Sequence, residues 1–436
     1  MPQSAPVPDL AAERLTQLER AVAKYAVLPP ECVIKEELLK TGLRFRFEAP
    51  QAFKEKSYFI FSFDMVKLKD NPQSQRVPEE IALSGGPFDL RRTIVSVRQN
   101  PRSPYEVVIS PEGNRLEVGD QRLADVALPP PAPYYDRTLA NGKPVHEVAP
   151  TIEWGYLVYL TVYRLCQYFN ADEACKFCEM NPNFYQQKQA GRTYSAVKSP
   201  EEVVEAMRIV AESESAAHAY TVTGGSIIDG LAGLSEVDFY ARYAEAIEQA
   251  LPGRFIAKAV VQAMVKTQVQ KLYDAGYRIY HPNFEVWDKR LFEQICTGKD
   301  RVVGRDEWIR RLVDAVDVFG PGRVIPNFVA GIEMARPYGF ERVADAVEST
   351  VTGLDYLMAR GVVPRFTTWC PEPLTPLGEA NPDGAPLEYH LEMVAAYRDA
   401  ILRHKLPAPP GYGEPGAGRA VFSVSSFMDA LPAEAP

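Results

Sequence analysis

The stretch YLVYLTVYRLCQYFNADEACKFC, residues 156–178, joins an apolar run of strand length to three of the chain's six cysteines. Cys166, Cys175 and Cys178 fall within thirteen positions, directly after the apolar run. Six cysteines in 436 residues do not resemble the disulfide framework of a small secreted domain, so clustered thiols indicate metal or redox chemistry. The stretch therefore predicts a strand with a candidate metal site at its end.

Downstream of this stretch, apolar runs of strand length alternate with amphipathic helical stretches. Six strand-then-helix units imply parallel strands joined by right-handed crossovers, which is an α/β architecture. Because a closed barrel of this kind has eight strands, the sequence predicts a partial (β/α)6 TIM-like barrel. The predicted strands are 156–165, 219–224, 254–261, 277–286, 323–333 and 362–370, and the predicted helices are 199–214, 235–250, 265–275, 305–318, 340–359 and 388–403.

The two flanking segments differ from this pattern. Residues 1–150 predict an N-terminal α+β appendage, with a helix at 10–25, strands at LRFRFEA, SYFIFSFDMVKL, YEVVIS and RLEVGD, and a Pro-rich linker, ALPPPAPYYD. The last thirty residues are rich in Pro, Gly and Ala and predict an irregular C-terminal tail. The predicted domains are therefore 1–150, 151–405 and 406–436.

Composition limits the class of function. The chain is 46% hydrophobic and 24% charged with a formal net charge of −9, a globular balance that argues against a nucleic-acid-binding surface. No apolar run reaches the roughly 20 residues needed to span a bilayer, and the N-terminus lacks the order of a signal peptide. We therefore expect a cytoplasmic protein that acts on a small molecule, with no nucleic acid and no membrane span.

The three cysteines are expected at the mouth of the barrel, because ligands collect at the carboxyl ends of barrel strands. Two cysteines separated by two residues can hold one face of a metal or cluster, and a third from the same loop completes a three-thiolate site. Three thiolates suit a cubane of four irons and four sulfurs with one iron left open. Cysteines buried for packing, or a zinc site with a fourth ligand from elsewhere, are the alternatives.

The loop ends C-K-F-C, with Phe177 before the last cysteine, and T-V-T-G-G ends the second strand; together they resemble the radical S-adenosylmethionine superfamily. The resemblance extends over about residues 156–403. The usual spacing in that superfamily is three and then two intervening residues, whereas this chain has eight and then two. The resemblance implies a [4Fe-4S] cluster held by Cys166, Cys175 and Cys178, with S-adenosylmethionine at its open iron.

Further residues match the superfamily as contacts of the cosubstrate. The glycine pair after the second strand resembles the turn that lets backbone approach the methionine amino group, although an ordinary strand-to-helix turn is the alternative. HPNFEVWDKR and VIPNFVAGIE resemble the fourth and fifth strands of the biotin synthase-like branch. The cofactor-binding residues implied are Phe177, Thr223, Gly224, Gly225, Ser226, Asn283, Glu285, Arg305, Asn327 and Glu333.

Two expectations concern the orientation of these residues. Asn283 and Glu285 are expected on one side of the fourth strand, because side chains alternate between the faces of a strand. Arg305, Arg310 and Arg311 include a candidate partner for the methionine carboxylate, because guanidinium groups match carboxylates, while at least two are expected on a solvated helix face.

Three other polar residues have two interpretations each. Cys370 ends the sixth strand, where it either contacts substrate or a metal, or packs as a small buried hydrophobe. Tyr280 and His281 either take part in chemistry or form structural hydrogen bonds, and we favour the structural role.

The activity implied by the resemblance is reductive cleavage of S-adenosylmethionine to a 5'-deoxyadenosyl radical, which abstracts hydrogen from a small-molecule biosynthetic substrate. Whether rearrangement, carbon–carbon bond chemistry or methyl transfer follows is left open. A reducing partner such as flavodoxin or ferredoxin is implied. The alternatives are a zinc-dependent barrel lyase and a cluster-binding scaffold or electron carrier in metallocofactor assembly.

Overall fold

Two helices and a six-stranded sheet form the N-terminal part of the computed structural model, which describes residues 10–57, 64–65, 76–191 and 195–433. These elements are α1 Leu10–Lys24, α2 Pro30–Thr41, β1 Arg44–Phe47, β2 Glu80–Gly85, β3 Leu90–Ser96, β4 Tyr105–Ile109, β5 Arg115–Val118 and β6 Gln121–Ala127. The sheet runs in the order β1-β4-β5-β6-β2-β3 and has its own hydrophobic core.

Several of the elements predicted for this part are present where the structure describes it. The first helix ends within one residue of the predicted position, and YEVVIS and RLEVGD pair as an antiparallel hairpin in which Tyr105 lies opposite Val118. The predicted strand SYFIFSFDMVKL lies almost entirely outside the described residues. Helix α2 and strands β2, β3 and β6 were not predicted.

The rest of the chain alternates strands and helices around a second, larger core. Strong local signals set several boundaries: for example, the Ser199 side chain accepts a hydrogen bond from the Glu202 N–H and so caps the helix that begins at Pro200. The elements are α3 Val145–Val148, β7 Thr151–Ile152, β8 Leu157–Tyr163, α4 Met180–Gln189, α5 Pro200–Glu212, β9 Ala219–Gly224, α6 Glu236–Ala250, β10 Ile256–Val260, α7 Lys266–Asp274, β11 Ile279–His281, α8 Lys289–Ile295, α9 Thr297–Val302, α10 Arg305–Phe319, β12 Asn327–Ala330, α11 Val343–Met358, β13 Arg365–Thr368, α12 Pro376–Ala380 and α13 Leu387–His404.

The six predicted parallel strands are β8 to β13. Strands β8, β9, β10 and β11 pair in parallel in that order, the short β7 pairs antiparallel with β8, and β12 pairs in parallel with β13. Two isolated parallel bridges, Tyr280 to Val324 and Glu285 to Phe328, link the two groups. The predicted mixed α/β class is confirmed, and we use the name barrel for these six strands as our interpretation.

The side of the barrel between β13 and β8 is covered by the C-terminal residues and by the N-terminal sheet. The Thr368 N–H donates to the carbonyl of Val424 at 3.0 Å, and the Ser96 N–H of β3 donates to the carbonyl of Ser423 at 2.9 Å. The last residues therefore lie between the barrel edge and the N-terminal sheet, which closes the gap.

The C-terminal residues, which the sequence predicted as an irregular tail, are buried at more than half of the described positions. No helix or strand is assigned in the described residues after His404, yet Phe422 and Phe427 belong to the core of the barrel. Buried polar contacts fix the segment: the Lys35 ammonium of α2 bonds the Asp429 carboxylate at 2.9 Å, and the Thr93 hydroxyl of β3 donates to the same carboxylate at 2.9 Å. The segment is thus part of the folded unit.

In the described part of the chain, no helix combines the length and apolar character needed to cross a membrane.

Candidate functional site

A cavity of about 250 Å³ lies inside the barrel and extends to the N-terminal sheet. One end is lined by Cys166, Cys175 and Cys178, beyond the carboxyl end of β8, and we call this end the mouth. The other end is lined by Glu153, before β8 begins, and by Arg365 at the start of β13, and we call this end the floor. The three predicted cysteines therefore face one common space.

Hydrogen bonds to helix α4 and to the loop after β9 hold the backbone of Cys166 in place. Its N–H donates to the Asn181 side-chain oxygen at 2.8 Å, and the Asn181 amide donates back to the Cys166 carbonyl at 3.4 Å. The next N–H, that of Gln167, donates to the Ser226 carbonyl at 3.0 Å. The cysteine is therefore fixed by α4 on one side and by the loop after β9 on the other.

The glycine pair has a packing role in this arrangement. A Cβ on Gly225 would overlap the carbonyl oxygen of Leu165 and lie 2.5 Å from the Cβ of Cys166, and one on Gly224 would lie 2.5 Å from the Tyr163 carbonyl oxygen. Both glycines also line the cavity. Close approach of the loop to the first cysteine is thus sufficient reason for glycine here.

The eight residues between the first two cysteines form an ordered turn. Residues Gln167–Ala171 form a short 3-10 helix, and Asp172 follows in the left-handed conformation with φ of 57°. The Nε–H of Arg301 then donates to both carboxylate oxygens of Glu173, at 2.6 and 2.7 Å. The long first gap therefore has a defined path that leads the chain back to the mouth.

The second and third cysteines share a tight turn. The Cys178 N–H donates to the Cys175 carbonyl at 2.9 Å. Between them, the Lys176 N–H donates to the Ile295 carbonyl at 3.0 Å and the Lys176 carbonyl accepts from Leu377 at 3.1 Å. These bonds fix the turn against α8 and α12.

The thiol pKa values reflect burial and one neighbour that the sequence did not indicate. Burial raises the pKa of Cys166 to about 11 and raises that of Cys178 well above its usual range. The pKa of Cys175 is lowered, chiefly by a hydrogen bond with the buried Cys296 and further by the charge of Lys299. Because metal ligands are thiolates, a bound metal would replace the protons of these thiols.

Eight of the ten predicted cofactor-binding residues line the cavity, and two do not. Arg305 instead donates two hydrogen bonds to the Trp287 carbonyl, at 2.9 and 2.7 Å. Glu333 is fully buried elsewhere, where its carboxylate accepts from the Gly331 N–H and the Thr350 hydroxyl. We therefore withdraw Arg305 and Glu333 from the candidate set. The residues at the cavity are Phe177, Thr223, Gly224, Gly225, Ser226, Asn283, Glu285 and Asn327.

The expected strand geometry of Asn283 and Glu285 is wrong, although both residues reach the cavity. Strand β11 ends at His281, and Glu285 has a φ of 77°, which is not strand backbone. The Glu285 carboxylate accepts from the Lys299 ammonium at 2.5 Å, and the same ammonium donates to the Asn283 carbonyl at 2.7 Å. A loop with a left-handed residue and a buried ion pair places these groups.

The other two arginines lie away from the cavity. Arg310 is exposed and pairs with Glu307 and Asp314, and Arg311 donates to Glu307 and to the Ala263 carbonyl. Only Arg310 therefore lies on a solvated helix face, whereas that position was expected for at least two of the three arginines.

The three residues with two interpretations are now placed. Tyr280 donates to the Gln262 carbonyl at 2.7 Å, and His281 is fully buried between the Ile325 carbonyl and the Tyr412 hydroxyl. Cys370 is buried and lines the cavity, and burial raises its pKa to about 12. The structural role is therefore supported for Tyr280 and His281.

Several cavity residues were missed in the sequence. Glu236, at the start of α6, is partly buried, and the loss of solvent around its carboxyl group raises its pKa to about 7. The carboxylate accepts hydrogen bonds from the backbone and side chain of Gln262. The capping residue Ser235 marks the start of α6, but nothing local shows that the next side chain turns inward. The other missed residues that line the cavity include Glu153, Tyr168, Lys299 and Arg365.

Among the described residues, no group of three His, Cys, Asp or Glu side chains is arranged to hold a single metal ion. A cubane of four irons is larger than one ion and takes its cysteines at larger separations. The finding therefore concerns a single ion only.

No protein-family model and no curated protein matches the chain. Solved structures resemble part of it: methylornithine synthase (PylB) is 16% identical over 56% of this chain and 61% of its own, with a TM-score of 0.40. HydG, a maturase of the [FeFe]-hydrogenase, is 14% identical over 56% and 49%, with a TM-score of 0.41. HemN, the coproporphyrinogen III oxidase from Escherichia coli described as a radical SAM enzyme, is 9% identical over 60% and 55%, with a TM-score of 0.36.

Each of these matches covers less than two thirds of the other chain. Because the overall similarities are low, we base the function on the geometry of the site.

Proposed function

We propose that the chain is a radical S-adenosylmethionine enzyme in which Cys166, Cys175 and Cys178 hold a [4Fe-4S] cluster. The observation that carries this proposal is that three thiols of one loop, directly after the first parallel strand, face a single cavity. Cysteine thiolates are the usual ligands of such clusters, and three of them leave one iron free. When bound, the cluster supplies the electron that cleaves S-adenosylmethionine to a 5'-deoxyadenosyl radical.

The residues at the mouth fit such a group. All three donors are sulfur, and the loop that carries them is fixed by Asn181 and Ser226. The three cysteines are only partly exposed, which suits a centre that must be kept from water and oxygen. The protein's part is thus to hold the three ligands at fixed positions and to shield them.

The cosubstrate is proposed to lie beside the cysteines, against the strand ends. Thr223, Ser226 and Asn283 line the cavity there and offer polar groups for its amino, carboxylate and ribose groups. Glu285 is held by Lys299, so its carboxylate has a fixed orientation. Phe177, between the last two cysteines, adds an apolar surface at the cavity.

The finer assignments belong to the same proposal. They are membership of the biotin synthase-like branch, a (β/α)6 partial barrel with domains at 1–150, 151–405 and 406–436, and a cytoplasmic location. They also include a small biosynthetic substrate and a reducing partner such as flavodoxin or ferredoxin. The cavity inside the barrel supports the small substrate, because it is enclosed by the strands and the N-terminal sheet.

The proposal is tested by reconstituting the protein with iron and sulfide under anaerobic conditions, then reducing it with dithionite and adding S-adenosylmethionine. We expect visible absorption of the cluster, binding of S-adenosylmethionine in equilibrium dialysis, and 5'-deoxyadenosine by mass spectrometry. All three should be lost when Cys166, Cys175 or Cys178 is replaced by alanine, because each substitution removes a ligand.

Two other cysteines provide matched controls. Cys32→Ala changes a buried cysteine that packs between α2 and α13, outside the cavity, and Cys296→Ala removes the neighbour of Cys175 without removing a proposed ligand. Both variants should keep the absorption. A cluster that survives the double substitution of Cys175 and Cys178 contradicts the ligand assignment. Stoichiometric zinc without sulfide favours the zinc lyase, and a cluster without cosubstrate binding favours the scaffold or electron carrier.

A further inference from the structure

At the floor of the cavity, the carboxylate of Glu153 has no hydrogen-bond partner for one of its oxygens. Glu153 is only 2% exposed, and its Oε2 atom is buried and accepts no hydrogen bond from any residue that the structure describes. Its backbone is held firmly, because the N–H groups of Glu153 and Trp154 donate to the two oxygens of Glu80 at 2.7 and 2.8 Å. The backbone of Glu153 is thus fixed at the cavity, while one oxygen of its carboxylate has no partner among the described residues.

A cation lines the same end of the cavity. The Arg365 guanidinium donates to the Tyr412 hydroxyl at 3.0 Å and lies near the rings of Tyr412 and Phe422, with centroid distances of 5.6 and 5.4 Å. Its Nε–H is buried and has no acceptor among the described residues. The floor therefore contains an acidic and a basic side chain, and each has one buried polar atom without a hydrogen-bond partner among the described residues.

These charges do not neutralise each other by direct contact. Within the described ranges, no ion pair joins Glu153 to Arg365 or to the nearby Lys258, and the Lys258 ammonium instead donates to the Gly411 carbonyl at 2.5 Å. Burying a charged group without a partner is costly, and such groups are normally paired or bind a ligand. The floor thus has the features of a site for a ligand with both charges.

The position of the floor suits the polar end of a substrate. Strand β8 runs from Leu157 to Tyr163, so at about 3.3 Å per residue the floor lies roughly 20 Å from the cysteines along the strand. A ligand fixed at the floor would point its remaining atoms along the barrel towards the mouth. The walls between include Tyr159, Val260, Val329 and Thr367.

We propose that the floor binds an α-amino acid, with the carboxylate of the ligand at Arg365 and its ammonium group at Glu153. A simple carboxylate would be repelled by Glu153, and a simple amine would be repelled by Arg365 and Lys258. A zwitterion satisfies both groups, and the guanidinium fork matches a carboxylate. The view that this amino acid is the substrate rests on the proposed function, whereas its binding does not.

The test is binding to the purified protein without reconstitution. Each proteinogenic L-α-amino acid is screened by saturation-transfer NMR, and each binder is titrated by calorimetry. The corresponding acid that lacks the amino group and the corresponding amine that lacks the carboxylate are titrated in parallel. We expect at least one amino acid to bind, and both of its analogues to bind roughly 10- to 100-fold more weakly, because each leaves one charge of the floor unpaired.

Variants locate the binding. Arg365→Gln and Glu153→Gln should each weaken the affinity roughly 10- to 100-fold, and Arg365→Lys should weaken it by an intermediate factor because the charge stays but the fork is lost. The matched control Arg360→Gln changes an exposed arginine of the turn after α11 and should leave the affinity unchanged. Circular dichroism of each variant verifies that the fold is kept.

Three results would overturn the proposal: no amino acid binds, binding is insensitive to both floor variants, or an analogue with one charge binds as tightly as its parent. The outcome is separable from that for the proposed function, because the binding assay needs no cluster. Amino-acid binding in a protein that assembles no cluster would leave the floor site standing and refute the radical chemistry. A cluster that cleaves S-adenosylmethionine in a protein that binds no amino acid would support the radical chemistry and refute the floor site.

Discussion

The mouth and the floor of the cavity are built in opposite ways. At the mouth, Cys166 and its partner Asn181 are 15 positions apart, and the backbone around the cysteines is hydrogen-bonded before any ligand is present. At the floor, Glu153 and Arg365 come from distant parts of the chain and keep unpaired polar atoms. The comparison teaches that the cysteine end of the cavity is specified by a short stretch of sequence, whereas the floor is specified by assembly of the whole fold.

The largest expected effect on stability concerns the ion pair between Lys35 and Asp429, which fixes the C-terminal segment on the floor side of the cavity. Asp429→Ala should lower the free energy of unfolding by about 3–5 kcal/mol, because it leaves the buried Lys35 ammonium without its carboxylate. Denaturant unfolding measures the effect, and the exposed Asp399→Ala serves as the control. Replacing Lys35 by Met together with Asp429 by Leu should recover most of the loss. A loss below about 1 kcal/mol for the single variant would show that the segment is held by other contacts.

At the mouth, Gly225→Ala should lower the free energy of unfolding by more than about 3 kcal/mol, since the new methyl group overlaps backbone atoms at Leu165 and Cys166 that cannot move aside. Gly233→Ala, in the same loop, meets open space and should cost only about 1 kcal/mol of backbone strain at its φ of 77°. Thermal or denaturant unfolding of the two variants decides the point. Equal losses would mean that the loop does not pack tightly on the cysteine.

The smallest expected effect is a pH dependence of the unfolding free energy that arises from Glu153 at the floor. Burial raises the pKa of Glu153 from 4.5 to about 7, so the folded protein binds more protons than the unfolded chain between these values. The stability contributed by the protonated carboxyl is therefore complete below about pH 4.5 and is lost as the pH rises through about 7, by about 3 kcal/mol in total.

The Glu153→Gln variant isolates this effect, because glutamine cannot titrate while Glu236 titrates in both proteins. The difference in unfolding free energy between variant and wild type should change in favour of the variant as the pH rises. A difference that is constant with pH would show that Glu153 titrates normally and would weaken the contrast between the two ends.

The barrel strands and the mouth were largely predictable from sequence. Apolar runs such as 219–224 are buried strands with little alternation, and the three cysteines lie where the end of a strand places them. The strand predictions succeed because strand formation is largely a local property of the chain. The run 277–286 was predicted less well, because the strand stops at His281 and Glu285 takes a left-handed conformation.

The floor was not predictable from sequence. Nothing around Glu153 distinguishes it from a surface glutamate, since its burial depends on the N-terminal sheet, through Glu80, and on the segment that contains Ser423. The prediction that Arg305 lies at the cavity was wrong for the converse reason. Its place at the start of α10 was predicted, but its side chain donates to the Trp287 carbonyl instead. Long-range packing decides both cases.

The contact between Lys35 and Asp429 joins residues 394 positions apart. Closing so long a loop carries a larger entropic cost than closing the 15-residue contact at the mouth, and long-range contacts form slowly. The two ends of the cavity should therefore mature at different times as the chain folds, with the cysteine loop ordered early and the floor sealed late. During that interval the interior of the barrel is open to solvent from the side that the C-terminal segment later covers.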